Sequence, residues 1–441
     1  MHTLNNKKQI KRMVINMIKN NRIFADNIRV SNDTRKTGLN NNDAIIGSSG
    51  SGKTGGYEAH NICNTDENII VVDTKGTLYS KVENILRDKG YEVNLLDAVN
   101  PKRSNIGFNP FDYIEIRPDG SFNENDVASI ATAMLPMNNE KDAFWISSAR
   151  TLMESAIGYV IEALDEEDRN LSSLFMVING ILSKGDKEGI PFLESVTEDS
   201  VLGDGSFAYR KYLAFKNVIK AETTWGCITM FLTAFVNSLD TSDNKAIFCR
   251  DNNIRFEDFD NKKMALFINV SDTDKSFDKI TSLIFSQAFK TLCNTADSHS
   301  DGALKRPVRL YLDDFATTTV IEDFDKLISV IRSRNIAVSI ILQSIMQLET
   351  IYSKAASSTI ITNCDHLLYL GGADYETANY LSLRSGIVPE KIMNLSADKA
   401  LFLERGKKGE ITDKLRPYGC IAEENNKRKQ SVKQVEKGCD E

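Results

Sequence analysis

The sequence contains no apolar stretch that approaches the roughly 20 residues needed to span a bilayer. Its longest candidate, residues 228–236, includes two threonines and has the length of a helix in a protein core. The first ten residues also lack the apolar region of a secretory signal peptide. We therefore expect a cytoplasmic protein without a transmembrane helix.

Cysteine and histidine are too scattered to indicate a disulfide framework or a metal cluster. The seven cysteines form no CxxC pair, and reduced thiols in a cytoplasmic protein explain them best. The four histidines are isolated from one another, which favours surface or packing roles over metal ligation.

An excess of positive charge is also absent, since the net charge of the 441 residues is −7. A broad basic surface that coats DNA is therefore excluded. The first 42 residues carry nine Lys or Arg against two Asp, which leaves −14 for the remainder. Any contact with nucleic acid is expected to be local, in a pore or on this basic N-terminal arm.

A short apolar run, residues 44–46, is followed directly by a complete phosphate-binding loop, G-x-x-x-x-G-K-T. The loop consists of Gly47, Ser48, Ser49, Gly50, Ser51, Gly52, Lys53 and Thr54. Between a strand and a helix, its N–H groups would hold phosphates, Lys53 would contact the β- and γ-phosphates, and Thr54 would bind Mg²⁺. A chance loop of glycine and serine is the alternative, and the full match disfavours it. The next two residues, Gly55 and Gly56, each cost a helix about 1 kcal/mol relative to alanine.

The first 25 residues include apolar positions at helical spacing among lysines and arginines. Such a basic amphipathic helix could lie on an acidic membrane surface or dock on a partner. A short helix that packs against its own domain is the alternative.

Strand and helix patterns alternate from residue 44 to about 112, with buried strands expected at 68–73 and 93–96 and a helix at 81–89. Residues 125–240 are dominated by helical periodicity. Strand patterns then return at 264–270, 308–312, 336–342, 366–370 and 400–403. The chain is thus expected to be an α/β protein whose mostly parallel sheet is interrupted by an all-α insertion.

This pattern predicts five segments. They are a basic N-terminal arm (1–42), the first part of a nucleotide-binding domain (43–120), an all-α insertion domain (121–245), the second part of the nucleotide-binding domain (246–421) and a disordered tail (422–441).

A second half of a nucleotide site is indicated by the strand at 308–312, which ends in Asp313 and Asp314. Ligands bind at the carboxyl ends of strands in such sheets. Asp313 would belong to the Mg²⁺ shell, and Asp314 would orient or deprotonate the attacking water.

Arg332 and Gln343 flank the next predicted strand. Gln343 could sense a γ-phosphate, or it could be a helix-capping amide. Arg332 could reach a neighbouring subunit's nucleotide as a finger, or it could form a surface salt bridge. The spacing of the two residues is consistent with either role in each case.

Taken together, these stretches resemble the type IV secretion coupling proteins, the TraG/TrwB-like ATPases related to FtsK and HerA. The resemblance runs from about residue 30 to 405. It rests on residues 33–42 (DTRKTGLNNN), 72–76 (VDTKG), 90–93 (GYEV), 109–111 (NPF), 144–145 (FW), 312–316 (LDDFA), 341–344 (ILQS), 347–348 (QL), 351–352 (IY) and 363–365 (NCD).

The resemblance implies a RecA-like motor that is assembled as a homo-hexamer and hydrolyses ATP with Mg²⁺ while substrate passes through a central channel. It implies DNA as cargo, as a single strand bound to a relaxase, with type IV secretion channel components as partners. It also assigns Lys53, Thr54 and Asp313 to phosphate and Mg²⁺, Arg332 to the trans finger and Gln343 to the sensor.

Three departures from the family pattern stand out. Asp314 replaces the usual glutamate, and a carboxylate withdrawn by about 1 Å can cost about 10² in rate. Thr74 and Thr77 replace proline and glutamate. Most relatives carry N-terminal membrane helices, so attachment to the inner face of the membrane would here use the basic arm or a separate membrane subunit.

The sequence therefore predicts an ATPase that pumps DNA into a conjugation channel. One alternative is a DNA translocase of the FtsK/HerA type outside conjugation. The other is a nucleotide-gated adaptor that binds ATP and cargo without pumping.

Overall fold

The computed structural model describes residues 21–136, 140–183, 205–216, 222–318 and 320–426. The chain divides into two compact units. The first unit contains residues up to Leu95, Phe256–Asp272 and the chain from Leu292 onward, and the second contains Leu96–Arg255 and Thr273–Thr291. The predicted N-terminal helix falls largely on residues 1–20, and most of the predicted tail falls on 427–441. Both lie outside the described residues.

The first unit is built on a nine-stranded sheet with the strand order β11-β10-β9-β3-β8-β7-β4-β6-β5, accompanied by a two-stranded hairpin, β1-β2. The strands are β1 Asn21–Ile23, β2 Arg29–Ser31, β3 Asp43–Ile46, β4 Asn68–Asp73, β5 Glu92–Asp97, β6 Met264–Asn269, β7 Val308–Leu312, β8 Ile336–Leu342, β9 His366–Tyr369, β10 Lys399–Glu404 and β11 Glu410–Asp413.

The central strands are parallel, as predicted: β9, β3, β8, β7, β4 and β6 pair in that order, and β10 adds to β9 in antiparallel orientation. Every residue of β3, β4, β6, β7, β8 and β9 is buried. Continuous apolar strands of this kind belong to sheets covered on both faces. Since Ile46 pairs with both Leu342 and Tyr369, the carboxyl ends of β3, β8 and β9 lie level with one another.

Helices connect these strands and form the second unit. They are α1 Thr34–Thr37, α2 Ala59–Asn64, α3 Thr77–Asp88, α4 Glu124–Met134, α5 Ala143–Ala163, α6 Leu171–Ser183, α7 Phe207–Lys216, α8 Glu222–Leu239, α9 Lys245–Phe248, α10 Asp278–Asp297, α11 Phe315–Thr318, α12 Phe324–Val330, α13 Ile345–Ile351, α14 Lys354–Thr362, α15 Tyr375–Ser385 and α16 Pro389–Met393. Residues 419–426 are also helical.

Aromatic packing and close helix contact build the core of the second unit. Phe175 packs edge-on against Phe235 and Phe248, with ring centroids 6.0 and 6.2 Å apart. Helices α5 and α7 approach each other at Gly158, where a Cβ would lie 2.6 Å from the Phe207 ring. Apart from the end of β5, the described part of this unit contains isolated bridges and no named strand.

The boundaries of this unit differ from those predicted. It begins at Leu96 instead of residue 121 because Ile106 and Phe108 are buried and Gly107 pairs with Asn253. It also includes Thr273–Thr291, which the sequence analysis gave to the nucleotide-binding domain. The predicted disordered tail was wrong for residues 422–426, which are helical.

Residues 21–42, which the sequence assigns to the basic arm, fold onto the first unit through a buried ion cluster. Arg22 forms an ion pair with Asp43 at 3.0 Å, and Arg309 pairs with the other oxygen of Asp43 at 3.1 Å and with Glu67 at 2.8 Å. All four side chains are buried. Burial and the two guanidinium groups lower the pKa of the neighbouring His366 to about 2, so its ring is neutral.

Candidate nucleotide-binding site

The phosphate-binding loop leaves β3 at the centre of the sheet and is fixed by both neighbouring strands. The backbone N–H of Gly47 donates to Leu342 O at 3.1 Å, and that of Ser48 donates to Gly371 O at 2.9 Å. A side chain at Gly47 would come within 3.0 Å of the Leu370 Cβ. The start of the loop is therefore held on both sides before it turns outward.

The outer part of the loop has backbone angles that favour glycine. Gly50 and Gly52 have φ values of +75° and +101°, which most L-residues avoid. Apart from each glycine and its chain neighbours, no atom of the described residues lies within 4 Å of the Cβ position at either one. Ser48, Ser49 and Gly50 are exposed. The loop thus offers backbone N–H groups around an open space, which is the arrangement that binds phosphate.

Lys53 lies where the loop meets the helix, and its side chain bonds back to the start of the loop. Its ammonium group donates to Gly47 O at 2.7 Å and to Ser48 O at 3.2 Å. Burial lowers the pKa of Lys53, and the negative charges of Asp314 and Asp313 oppose this effect. The lysine is therefore held at the loop by carbonyl oxygens that a phosphate oxygen can replace.

Residues Lys53–Glu58 form a wide, π-helical turn before α2 begins. Gly56 N donates to Gly52 O at 2.7 Å, whereas Ala59 N reaches back five residues to Thr54 O. Single π turns are frequently found at functional sites. The half-buried Thr54 lies in this turn, next to Lys53.

The two glycines after the loop allow a distant segment to pack on this turn. A Cβ at Gly55 would lie 2.9 Å from the Tyr418 ring and 3.1 Å from the Pro417 Cβ. Tyr418 N donates to Gly55 O at 2.8 Å. Lys414 donates to Ser51 O at 3.1 Å and to Leu370 O at 2.7 Å. The segment from Lys414 to Tyr418 therefore covers the helical side of the loop.

Asp313 and Asp314 follow β7, at the same edge of the sheet as the loop. Asp314 N donates to Asp313 Oδ1 at 3.0 Å, and the Thr74 hydroxyl donates to Asp313 Oδ2 at 3.4 Å. Burial, assisted by Asp314 and opposed by Lys53, raises the pKa of Asp313 to about 7. Asp314 has a φ of +46°, a conformation that is uncommon for a residue other than glycine and is found at strained functional sites.

Gln343 lies between the loop and the acidic pair because β8 lies between β3 and β7. Its amide donates to Asp314 Oδ1 at 3.4 Å. The capping alternative fails, since the hydroxyl of Ser344 caps α13 by accepting from Gln347 N. Gln343 is thus directed at the acidic pair.

Arg332 is not brought to this edge. It belongs to the 3₁₀ turn Ile331–Arg334, which precedes β8, whereas the loop and acids follow their strands. The seven residues of β8, which separate Arg332 from Gln343, span about 23 Å. Arg332 is exposed, and its guanidinium donates to Gly38 O at 3.4 Å. Within one chain, Arg332 is therefore remote from Lys53.

The site fits a magnesium nucleotide better than a metal ion alone. Among the described residues, no group of three or more His, Cys, Asp and Glu side chains could hold a metal ion. Mg²⁺ commonly keeps several waters and uses one or two protein oxygens together with substrate phosphates. The Thr54 hydroxyl and the Asp313 carboxyl are suitable oxygens at the edge where the open loop lies.

Three residues at this edge were missed by the sequence analysis. Thr74 was noted only as a departure from a family pattern, yet it contacts Asp313. Lys414 follows the short strand β11 and carries no local signal of its contact with the loop. Glu58 is wholly buried at the end of the π-helical turn, although a glutamate after a helical start is typical of a solvated face.

The open loop, its lysine and the acidic strand end on a mostly parallel sheet define a P-loop nucleotide-binding protein. The model of the family described as type IV secretory system conjugative DNA transfer matches residues 3–408. The chain therefore belongs to this family of conjugative DNA transfer proteins. A comparison with curated protein sequences gives no match. Among the described residues, no helix is long and apolar enough to cross a membrane.

Solved structures of conjugation proteins share the fold. The bacterial conjugative coupling protein TrwBdeltaN70, in its unbound monoclinic form, has a TM-score of 0.65 and 16% identity, covering 89% of this chain and 87% of that chain. Plasmid coupling protein TrwB in complex with ADP and Mg²⁺ has a TM-score of 0.64 and 16% identity, covering 91% of both chains. VirB4 of Thermoanaerobacter pseudethanolicus has a TM-score of 0.54 and 12% identity, covering 91% and 97%. The fold is thus the RecA-like P-loop fold.

Proposed function

We propose that this protein is a P-loop ATPase that recruits DNA, as a relaxase-bound single strand, and pumps it into a type IV secretion channel. The observation that carries the proposal is the convergence of the phosphate loop, Asp313, Asp314 and Gln343 at one sheet edge, in a chain of the conjugative DNA transfer family. ATP with Mg²⁺ is the proposed cofactor, supported by the ADP and Mg²⁺ in the structure of the TrwB relative.

Binding would begin with exchange of partners at Lys53. Its ammonium group would leave the carbonyl oxygens of Gly47 and Ser48 for phosphate oxygens, while N–H groups in the outer part of the loop hold the remaining charge. Thr54 and Asp313 would hold Mg²⁺, which when bound neutralises charge on the phosphates. A nearby divalent cation favours ionised Asp313, since an opposite charge lowers the pKa of a carboxyl group.

Hydrolysis would depend on Asp314 and Gln343. Asp314 would accept a hydrogen bond from the attacking water and orient it. The amide of Gln343 lies 3.4 Å from Asp314 Oδ1. It would hold the Asp314 side chain, which is shorter than a glutamate, in position and would contact the γ-phosphate. Thr74 would fix Asp313 through its hydroxyl.

Arg332 would act on a neighbouring subunit. A side chain at the opposite end of β8 cannot serve its own nucleotide, but in a ring that edge can face the next subunit's site. We propose a homo-hexamer with Arg332 as the trans finger, an interaction that contributes about 10³–10⁵ in rate where such fingers operate. Attachment to the inner face of the membrane, through the basic N-terminal arm or a separate membrane subunit, is part of the same proposal.

The test combines turnover with transfer. The purified protein, with DNA and Mg²⁺, should hydrolyse ATP, and Lys53→Ala should abolish this activity while leaving the fold intact by circular dichroism. Cells that carry Lys53→Ala should lose relaxase-dependent DNA transfer. A protein that supports transfer equally well with and without Lys53 would exclude the motor function.

A nucleotide-gated adaptor is the second candidate, and three features of Asp314 favour it. Asp314 is shorter than glutamate, adopts a strained backbone conformation and is engaged by Gln343. In that case, ATP binding would recruit cargo without turnover. ATP hydrolysis no faster than that of Lys53→Ala, together with ATP-dependent binding of DNA, would identify the adaptor.

A further inference from the structure

Glu58 is a buried carboxyl group for which the proposed reaction has no use so far. It ends the π-helical turn that Lys53 begins, and its side chain is 0% exposed. Neither carboxyl oxygen has a hydrogen-bond partner among the described residues. Buried polar groups without a partner are uncommon in folded proteins and call for a physical reason.

Another buried glutamate in the same unit has an ordinary structural role, and the contrast is informative. Glu67 accepts hydrogen bonds from Arg309 Nε at 2.8 Å and from Asn32 Nδ2 at 2.9 Å. Both of its carboxyl oxygens are thus used to fix the fold. Among the described residues, no guanidinium or amide donates to the Glu58 carboxyl, so its burial brings no comparable interaction to the resting protein.

The charges that face Glu58 belong to the nucleotide edge. In decreasing order of effect, they are the carboxyl groups of Asp313, Asp73 and Asp314, followed by the ammonium group of Lys53. Burial, reinforced by the three acids, raises the pKa of Glu58 well above its ordinary value. Glu58 therefore interacts electrostatically with the acids and the lysine of the nucleotide edge, where a bound divalent cation would be the largest local charge.

We propose that Glu58 is a positioning residue of the magnesium nucleotide site, whose carboxyl oxygens accept hydrogen bonds from the water shell of the Mg²⁺ held by Thr54 and Asp313. This inference rests on the proposed function. Glu58 follows Thr54 by four residues in the same π-helical turn, and Asp313 is the charged group with the largest electrostatic effect on it. Partners of this kind orient metal ligands and typically change metal affinity 10- to 100-fold when they are removed.

A second consequence distinguishes this role from a packing role. A buried carboxyl without a partner destabilises the metal-free protein, so replacing it with an apolar residue of similar size should stabilise that form. Glu58→Leu should therefore raise the thermal midpoint without nucleotide and metal, while it weakens the effect of Mg²⁺ on nucleotide binding. Opposite effects on stability and on function are typical of functional sites.

The experiment is an ADP titration by calorimetry in Mg²⁺ and in EDTA, with the full-length wild type and Glu58→Gln, which keeps the side-chain volume. In the wild type, Mg²⁺ should strengthen ADP binding. In Glu58→Gln, this strengthening should fall by about 10-fold, with the affinity in EDTA unchanged. Glu83→Gln, at a surface ion pair with Arg87, is the matched control and should behave as the wild type.

The possible outcomes separate the two proposals. If the wild type shows no Mg²⁺-dependent ADP binding and Lys53→Ala behaves identically, both the ATPase function and the role of Glu58 are overturned. If Mg²⁺ strengthens ADP binding equally in the wild type and in Glu58→Gln, the ATPase function stands and the role of Glu58 is overturned. If Glu58→Gln folds poorly, the same titration with Glu58→Leu decides, since that variant is expected to be the more stable one.

Discussion

Tyr418 lies against Gly55, and the contact exists because residue 55 has no side chain. A Cβ at Gly55 would lie 2.9 Å from the tyrosine ring, closer than folded proteins allow. The ring of Tyr418 also lies under the ammonium group of Lys81, 4.4 Å from the ring centroid. The glycine pair after the phosphate loop therefore permits a specific packing that offsets its cost to the helix.

Alanine at the two glycines should have opposite effects. Gly55→Ala forces the Tyr418 ring to move and should destabilise the protein by about 1–3 kcal/mol. At Gly56, the nearest atom to a new Cβ is Leu415 O at 3.6 Å, an ordinary contact, so Gly56→Ala should stabilise by up to about 1 kcal/mol. Thermal midpoints of the two variants measure this. Equal shifts of the same sign would contradict the packing argument.

Arg332→Ala should leave ADP affinity unchanged and lower kcat by about 10³ or more in the presence of DNA. Arg334→Ala is the control. It removes the hydrogen bonds with Asp297 at 2.8 and 2.9 Å, a partly exposed pair that contributes about 0–1 kcal/mol, and should keep full turnover. Calorimetry and steady-state kinetics measure the two effects.

A mixing experiment tests the trans assignment directly. Subunits with Lys53→Ala and subunits with Arg332→Ala are each expected to be inactive. Mixed together, they should recover part of the turnover, because some interfaces then pair an intact loop with an intact arginine. Absence of recovery, or loss of ADP binding by Arg332→Ala, would show that Arg332 supports the fold and not a neighbour's site.

Without nucleotide and metal, Asp313 should make stability depend on pH. Its pKa is raised to about 7 in the folded protein, so the folded state binds its proton more tightly than the unfolded state. The penalty for burying this carboxyl is absent below its ordinary pKa, grows as the pH rises toward 7, and is complete above it. Asp313→Asn should therefore match the wild type at pH 4 and exceed its thermal midpoint at pH 8. A constant difference across this range would contradict the shift.

Asp43→Ala should be among the most destabilising substitutions in the first unit. Asp43 forms buried ion pairs with Arg22 and Arg309, and removing one partner of such a cluster costs about 3–5 kcal/mol. Asp258→Ala removes an exposed pair with Lys262 and should cost less than about 1 kcal/mol. Urea unfolding measures both. A cost for Asp43→Ala no larger than the control would mean that the cluster contributes little.

The sequence predicted the strands well because the central sheet is buried on both faces. Largely apolar runs of six or seven residues, such as Asn68–Asp73 and Ile336–Leu342, are too short for most helices and indicate buried strands. The observed bounds agree with this prediction. The strands β1, β2 and β11 were missed. They are three or four residues long and largely polar, and their pairing depends on partners that no local pattern reveals.

The candidate site likewise contains parts that a local sequence pattern predicts and parts that it does not. The loop is contiguous in sequence, so its residues could be recognised together. The burial of Glu58 could not be predicted, because an ordinary helical period does not describe a π turn and a glutamate is usually solvated. The contact of Lys414 with Ser51 joins residues 363 positions apart, and the sequence around Lys414 resembles any polar connection.

The order of the strands has a consequence for how this chain can change. The strands that end at the nucleotide edge, β3, β4, β7 and β8, all lie outside the stretch from Leu96 to Arg255. An insertion, deletion or exchange within that stretch alters no pairing among those four strands. The chain is therefore organised so that its helical unit can be remodelled for new tasks while the chemistry at the sheet stays the same.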